Sequence, residues 1–326
     1  MEFDLIEVIR SRCSVSRADV RLGIGDDAAV LSPPAGHDLA VSTDTLVAGI
    51  HFPFAVSARD LGWKALAVNL SDLAAMGATP AWALLALTLP DASRDFVAAF
   101  ADGFAELAAQ HGVALVGGDT TRGPLNVGVT VHGFIASGRA LRRDGARPGD
   151  LVFVTGTLGD AAAGLRCLDR ADARAPELFN APADTREALV ARLNRPLPRV
   201  SAGAALRDLA SACIDVSDGL LADLGHIAER SGVGIELDAE ALPSSSALLA
   251  LFERDERLVL QAAGGDDYEL AFCAAPARAT EVQRDLARIG CGATRIGRVV
   301  EGERVRLFDR DGSELVFERG GWNHFG

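Results

Sequence analysis

The chain of 326 residues carries 45 acidic against 32 basic side chains, a formal charge of −13 shared by both halves, which excludes a coat for nucleic acid or anionic lipid. At 49% hydrophobic and 24% charged the composition is globular, and the length fits about two domains. The start Met1-Glu2-Phe3-Asp4 lacks the basic and apolar segments of a secretion signal. The longest strongly apolar run, Ala81 to Leu89, is far short of the about 20 residues of a membrane helix. These features predict a cytoplasmic protein that neither enters nor spans a membrane.

In chain order, residues 39–42 read as a strand. Ser57 with Asp60 three residues on gives a helix start whose apolar pattern runs to Met76, where Gly77 stops it. Ala81–Leu89 reads as a buried strand and Ser93–Gln110 as an amphipathic helix. Val113–Val116 and Val127–Phe134 follow as strands, the second alternating at Val127, Val129 and Val131. The Arg- and Gly-rich stretch 137–150 marks a domain boundary, with residues 1–138 before it and 139–326 after. The second half restarts with a strand at Leu151–Thr155 and a helix opened by Gly156–Gly159. Asn194-Arg195-Pro196-Leu197-Pro198 breaks the chain before a helix at about 199–211. Short strands then fall near Cys213–Val216, Gly234–Leu237, Tyr268–Phe272 and Gly297–Val300. The pattern is two α/β domains.

The cysteines are five, widely spaced, without a C-x-x-C pair, and read as buried free thiols. The histidines show no His-Glu-x-x-His, and no serine sits in G-x-S-x-G, which argues against a zinc hydrolase or a hydrolase elbow. Lysine occurs once, at Lys64 in Gly62-Trp63-Lys64-Ala65, which is neither a P-loop nor a protein-kinase lysine. Phosphate chemistry here therefore has to rely on arginine and metal ions. Carboxylates recur beside Gly, Ser or Thr: Asp26-Asp27, Asp44, Asp72, Asp119, Asp215 with Asp218, and Asp266-Asp267. Except for Asp72, which falls in a helix, they are expected where loops leave strands, the usual place of an α/β active site. Each motif alone is ordinary turn chemistry. Converged, they would need cations, and oxygen donors without His or Cys select magnesium over zinc. Arg142 and Arg143 fit a phosphate clamp or a solvated basic surface equally well.

Taken in order, Gly23-Ile24-Gly25-Asp26-Asp27-Ala28-Ala29, Ser42-Thr43-Asp44-Thr45-Leu46-Val47, Asn69-Leu70-Ser71-Asp72, Gly117-Gly118-Asp119-Thr120-Thr121, Asp215-Val216-Ser217-Asp218-Gly219, Gly264-Gly265-Asp266-Asp267-Tyr268-Glu269-Leu270 and the ending from Gly321 to Gly326 resemble the thiamine-monophosphate kinase family. The resemblance spans nearly the whole chain. It implies the α/β (α+β) fold of aminoimidazole-ribonucleotide synthetase: an N-terminal domain whose sheet pairs with its mate in a homodimer, and a larger C-terminal α/β domain. It implies that ATP and thiamine monophosphate give ADP and thiamine diphosphate, with several magnesium ions. By matching positions, Asp27, Ser42, Thr43, Asp44, Asp72, Asp119, Asp215 and Asp218 would hold magnesium. Gly118, Asp119, Arg143 and Ser217 would contact ATP, and His51, Asp266 and Trp322 would contact thiamine monophosphate. The family often has Glu where this chain has Asp266.

The acceptor phosphate has a second pKa of about 6, so it is already largely dianionic and needs no base. Direct in-line transfer without a protein nucleophile follows as the expected mechanism. Other members of the fold fit less well. Cys13 lacks the glycine-rich loop of a selenophosphate synthetase, and the chain does not end in the cysteine of the hydrogenase-maturation dehydratase. A non-catalytic cation-binding protein is disfavoured because Asp215-Val216-Ser217-Asp218-Gly219 departs from the calcium-loop pattern.

Overall fold

A computed structural model describes residues 2–172, 174–317 and 320–322. The chain forms two compact units, one made of residues 1–73 and 78–140, the other of residues 74–77 and everything from Leu141 onward.

In the first unit, helix α1 (Glu2–Arg12) precedes a small antiparallel pair, β1 (Val20–Leu22) and β2 (Val30–Leu31). Strand β3 (His37–Val47) leads to α2 (Ala58–Ala75), β4 (Thr79–Leu89), α3 (Arg94–His111), β5 (Ala114–Arg122) and β6 (Asn126–Ala136). The four long strands form one sheet in the order β3-β6-β4-β5. Only β4 and β5 are parallel, joined across α3 as parallel strands require. Helix α2 starts where the sequence indicates: the Ser57 hydroxyl accepts from the Asp60 N–H at 3.1 Å and donates to the Asp60 carboxylate at 2.8 Å. It ends at Gly77, whose φ of 67° is left-handed, as a helix stop demands. Helices α2 and α3 touch backbone to backbone at two glycines, since a Cβ on Gly62 would meet the Phe100 carbonyl at 2.0 Å and one on Gly103 the Arg59 carbonyl at 1.8 Å. Strand β6 buries Val127, Val129 and Val131, in the expected alternation.

The strands exceed the stretches expected from the sequence. Strand β3 reaches Val47 rather than stopping at residue 42, and β5 reaches Arg122, so Asp44 and Asp119 sit inside strands and not on the loops beyond them. The runs Ser42–Thr45 and Gly117–Thr121 look like loop by propensity. As the two edge strands of a sheet with one open face, β3 and β5 accept polar residues that a buried strand would not.

The second unit contains β7 (Leu151–Thr155), α4 (Asp160–Leu168), α5 (Ala175–Asn180), α6 (Ala183–Asn194) and α7 (Val200–Leu206). It continues with β8 (Ala212–Asp215), α8 (Leu220–Ser231), β9 (Gly234–Asp238), α9 (Ser246–Leu251), α10 (Arg254–Ala263) and β10 (Leu270–Ala274). Helix α11 (Ala279–Arg288) and strands β11 (Ala293–Val300), β12 (Val305–Phe308) and β13 (Glu314–Leu315) close it. Among the described residues its sheet runs β13-β12-β9-β11-β7-β10-β8, with only β9 and β12 parallel. Alternate residues of β7, β8 and β10 enter two separate cores: Val152, Val154 and Ile214 on one face, Phe153, Phe272 and Cys213 on the other. The expected helix at 199–211 is shorter, because the chain turns at Leu209 and Ala210 to enter β8.

Candidate functional site

The first unit places its acids in two groups. Asp27, Gly118 and Asp119 line one cavity of about 790 Å³, between the turn 24–29 and the strand β5. Gly118 has a φ of 148°, and a Cβ there would lie 1.9 Å from the Leu85 carbonyl, so β5 must carry glycine to lie against β4. The second group gathers where β3 meets α2. The Ser42 hydroxyl donates to the Asp72 carboxylate, and the Asp44 N–H donates to the Asn69 side chain at 3.0 Å. Asn69 is itself buried and anchored to the Ala65 carbonyl at 2.9 Å. Thr43 points the other way: its hydroxyl donates to the Val129 carbonyl at 3.1 Å and accepts from Thr130 at 3.0 Å. Register shows how the groups relate. Asp44 pairs with Val129, Val129 with Leu85 and Leu85 with Gly118. Three strand spacings, about 14 Å, separate the β3 acids from Asp119.

His51 lies in the loop after β3, where its Nδ1 accepts from the Val47 N–H at 2.9 Å, which places the proton of the neutral ring on Nε2. The one lysine is buried in α2, and the Lys64 ammonium donates to the His51 carbonyl at 3.4 Å.

In the second unit, Asp215 ends β8 and is 4% exposed. The N–H groups of Ser217, Asp218 and Gly219 all donate to one oxygen of Asp223, at 2.9, 3.1 and 3.1 Å. Burial, and secondarily the charge of Asp218, pushes the Asp223 carboxyl up to about 7. Beside this turn the Asp266 N–H donates to the Ser217 carbonyl at 2.8 Å and the Trp322 N–H to the Asp218 carbonyl at 2.9 Å. The structure thus brings Ser217, Asp218, Asp266 and Trp322 together. Trp322 is exposed and, with Gly264 and Gly265, lines a largely apolar cavity of about 1160 Å³. The positions 323–326 that complete the C-terminal motif lie outside the described residues. Of the two junction arginines, Arg142 is tied to Asp144, whereas the Arg143 guanidinium has no ion pair among the described residues.

Three features escape the sequence reading. Asp267 accepts the N–H groups of Gly159 at 2.7 Å and Ala161 at 3.4 Å, so the start of α4 is capped from within and offers no phosphate cradle. Burial raises the Asp267 carboxyl well above the usual range. Glu269, fully buried, accepts from Thr155 at 2.7 Å and pairs with Arg192 and Arg199. Asp223 had no signal beyond its spacing from Asp218. Among the described residues no three of the His, Cys, Asp and Glu side chains converge as a closed metal site.

Residues 25–135 match the AIR synthase related protein N-terminal domain and residues 147–310 its C-terminal domain, so the chain is a two-domain protein of that class. Over 324 residues it is 46% identical to the thiamine-monophosphate kinase of Salmonella typhimurium, covering 99% of this chain and 98% of the relative. The crystal structure of thiamine-monophosphate kinase from Stenotrophomonas maltophilia superposes with a TM-score of 0.88 at 51% identity, covering 96% of this chain and 98% of the other. AaThiL complexed with AMPPCP and TMP superposes at 0.77 with 35% identity, covering 99% and 97%. The chain belongs to the thiamine-monophosphate kinase family.

Proposed function

We propose that the chain transfers the γ-phosphoryl group of ATP to the phosphate of thiamine monophosphate, giving ADP and thiamine diphosphate. The observation that carries this reading is the match to thiamine-monophosphate kinases along essentially the full length of both chains. The donor chemistry supports it. Asp27, Ser42, Asp44, Asp72, Asp119, Asp215 and Asp218 offer only side-chain oxygen, the donor type that magnesium takes. Thr43, its hydroxyl turned to Val129 and Thr130, would join them only through its backbone oxygen. Magnesium held there would supply charge neutralisation for the phosphates of ATP and of the acceptor.

The remaining work falls to the chain itself. Gly118 and Ser217 bring backbone close to ATP, and Arg143 holds a phosphate by forked contacts. His51 donates from Nε2 to the acceptor, Asp266 faces the thiamine cation, and Trp322 stacks on a ring of the substrate. No group has to take a proton from the acceptor, because its attacking oxygen is already ionised. The aspartates are ligands and not nucleophiles, so transfer is direct.

The working unit is a homodimer. Strand β3 is a sheet edge that exposes Leu39 and Val41, and Ile50 and Phe54 are exposed in the loop after it, which suits cover by a second copy. The five cysteines are free and buried, as suits a reducing cytoplasm, and no described helix is long and apolar enough to cross a membrane. The test is product analysis with ATP and magnesium. Thiamine diphosphate should form with thiamine monophosphate, and thiamine, whose hydroxyl needs deprotonation, should be a very poor acceptor. ATP turnover that ignores thiamine monophosphate would overturn the reading.

A further inference from the structure

Among the described residues, Asp266 (φ 70°) and Tyr268 (φ 50°) are the two non-glycine residues in the left-handed region. A tyrosine there is a genuine outlier, since a bulky side chain gains nothing locally from that conformation. Such strain persists only where the surroundings over-determine it. Here the Asp266 and Tyr268 N–H groups each donate at 2.8 Å, to the carbonyls of Ser217 and Val216. Between them Asp267 is fixed on the start of α4, and after them Glu269 is fixed by Arg192 and Arg199. On this fixed backbone the Tyr268 hydroxyl donates to Asp266 Oδ1 at 3.0 Å. The tyrosine is 8% exposed, so its ring is held by packing, whereas Asp266 is half-buried on the side of Ser217.

We propose that Tyr268 is the positioning residue for Asp266, holding its carboxylate in the one orientation that meets the cationic part of thiamine monophosphate. The proposal rests on the reading of Asp266 as a substrate contact. A carboxylate turns easily about its last torsion, and a hydrogen bond from a rigid phenol to one oxygen fixes the plane of both. Tyr268 touches no reacting atom. Its effect passes through Asp266 and falls on substrate affinity, leaving phosphoryl transfer alone.

The test is a double-mutant cycle of Tyr268→Phe and Asp266→Ala in steady-state kinetics. Tyr268→Phe keeps the ring and removes only the hydroxyl. It should raise KM for thiamine monophosphate about tenfold, with kcat and KM for ATP within about twofold of wild type. Asp266→Ala should raise the same KM further, and the double variant should match Asp266→Ala alone. A folded Tyr268→Phe with unchanged KM, or effects that add, would overturn the positioning role while leaving the Asp266 contact intact. An unchanged KM in Asp266→Ala would overturn that contact and the proposal with it. A second measurement needs no variant: the chain has one tyrosine, so 13C-tyrosine labelling gives a single Cζ resonance. Adding thiamine monophosphate should shift it, and an unmoved resonance at saturation would contradict the proposal.

Discussion

The chain uses a Gly-Gly-Asp step twice, at Gly117-Gly118-Asp119 in the first unit and Gly264-Gly265-Asp266 in the second, and the two do different work. In both, glycine lets one backbone lie on another: a Cβ on Gly118 would meet the Leu85 carbonyl at 1.9 Å, and one on Gly265 the Ser217 carbonyl at 2.6 Å. The first step sits on an edge strand of a sheet with one open face, and its Asp119 is exposed beside a cavity. The second runs into Asp267 and Glu269, buried beside a sheet covered on both faces and tied to helix N–H groups and two arginines. Motif identity fixes the close approach of the backbone. The layer in which the step lies decides whether the acids at and after it stay exposed beside a cavity, as Asp119 does, or are drawn into the fold, as Asp267 and Glu269 are.

That contrast makes ranked predictions. The largest effect should come from Asp44→Asn and Asp72→Asn, each lowering kcat by about a thousandfold with an unchanged circular dichroism spectrum. Two hydrogen bonds survive these substitutions: Asp44 bonds Asn69 through its backbone, and an amide oxygen at 72 still accepts from Ser42. Near-normal turnover would erase the distinction between open and buried acids. Glu269→Ala should instead cost stability, up to about 3–5 kcal/mol in urea unfolding, because two half-buried guanidinium groups lose the fully buried carboxylate they share. A loss below about 1 kcal/mol would show that the second unit's acids are as dispensable to the fold as the first unit's.

Asp223 gives a smaller, pH-dependent effect. Its carboxyl is raised from 3.8 to about 7 in the fold, so across that window the native state keeps a proton that the unfolded chain has lost. Wild-type stability therefore falls as pH rises through the window, and Asp223→Asn lacks this loss. Thermal melts without metal should show the variant gaining on wild type between about pH 5 and pH 7, by a few kcal/mol at most. Parallel pH profiles would place the proton elsewhere. The smallest contrast is between neighbours: Arg143→Ala should raise KM for ATP about tenfold, and Arg142→Ala, paired with Asp144 in solvent, less than about twofold. Equal effects would remove the assignment of Arg143.

Much of this architecture was legible because it rests on local rules. Ser57 and Asp60 declared a helix start and Gly77 its end, and the alternation of Val127, Val129 and Val131 declared a strand with one buried face. The acidic clusters were legible as a series. The lengths of β3 and β5 were not, because Ser42–Thr45 and Gly117–Thr121 are polar for reasons of edge position, which only sheet order reveals. Nor could spacing show that Asp44 and Asp119 sit on opposite edges, or that Asp267 caps α4 across more than a hundred residues of chain. Those relations are set by tertiary register, and the sequence holds them only through the fold.

The central claim, direct transfer from ATP to the phosphate of thiamine monophosphate with aspartates serving as ligands, is tested most directly by the stereochemistry of the transferred phosphorus. ATP made chiral at the γ-phosphorus should give thiamine diphosphate with inverted configuration, the signature of one in-line displacement. Net retention, or an isolable phosphoprotein competent to pass its phosphate to thiamine monophosphate, would contradict the account.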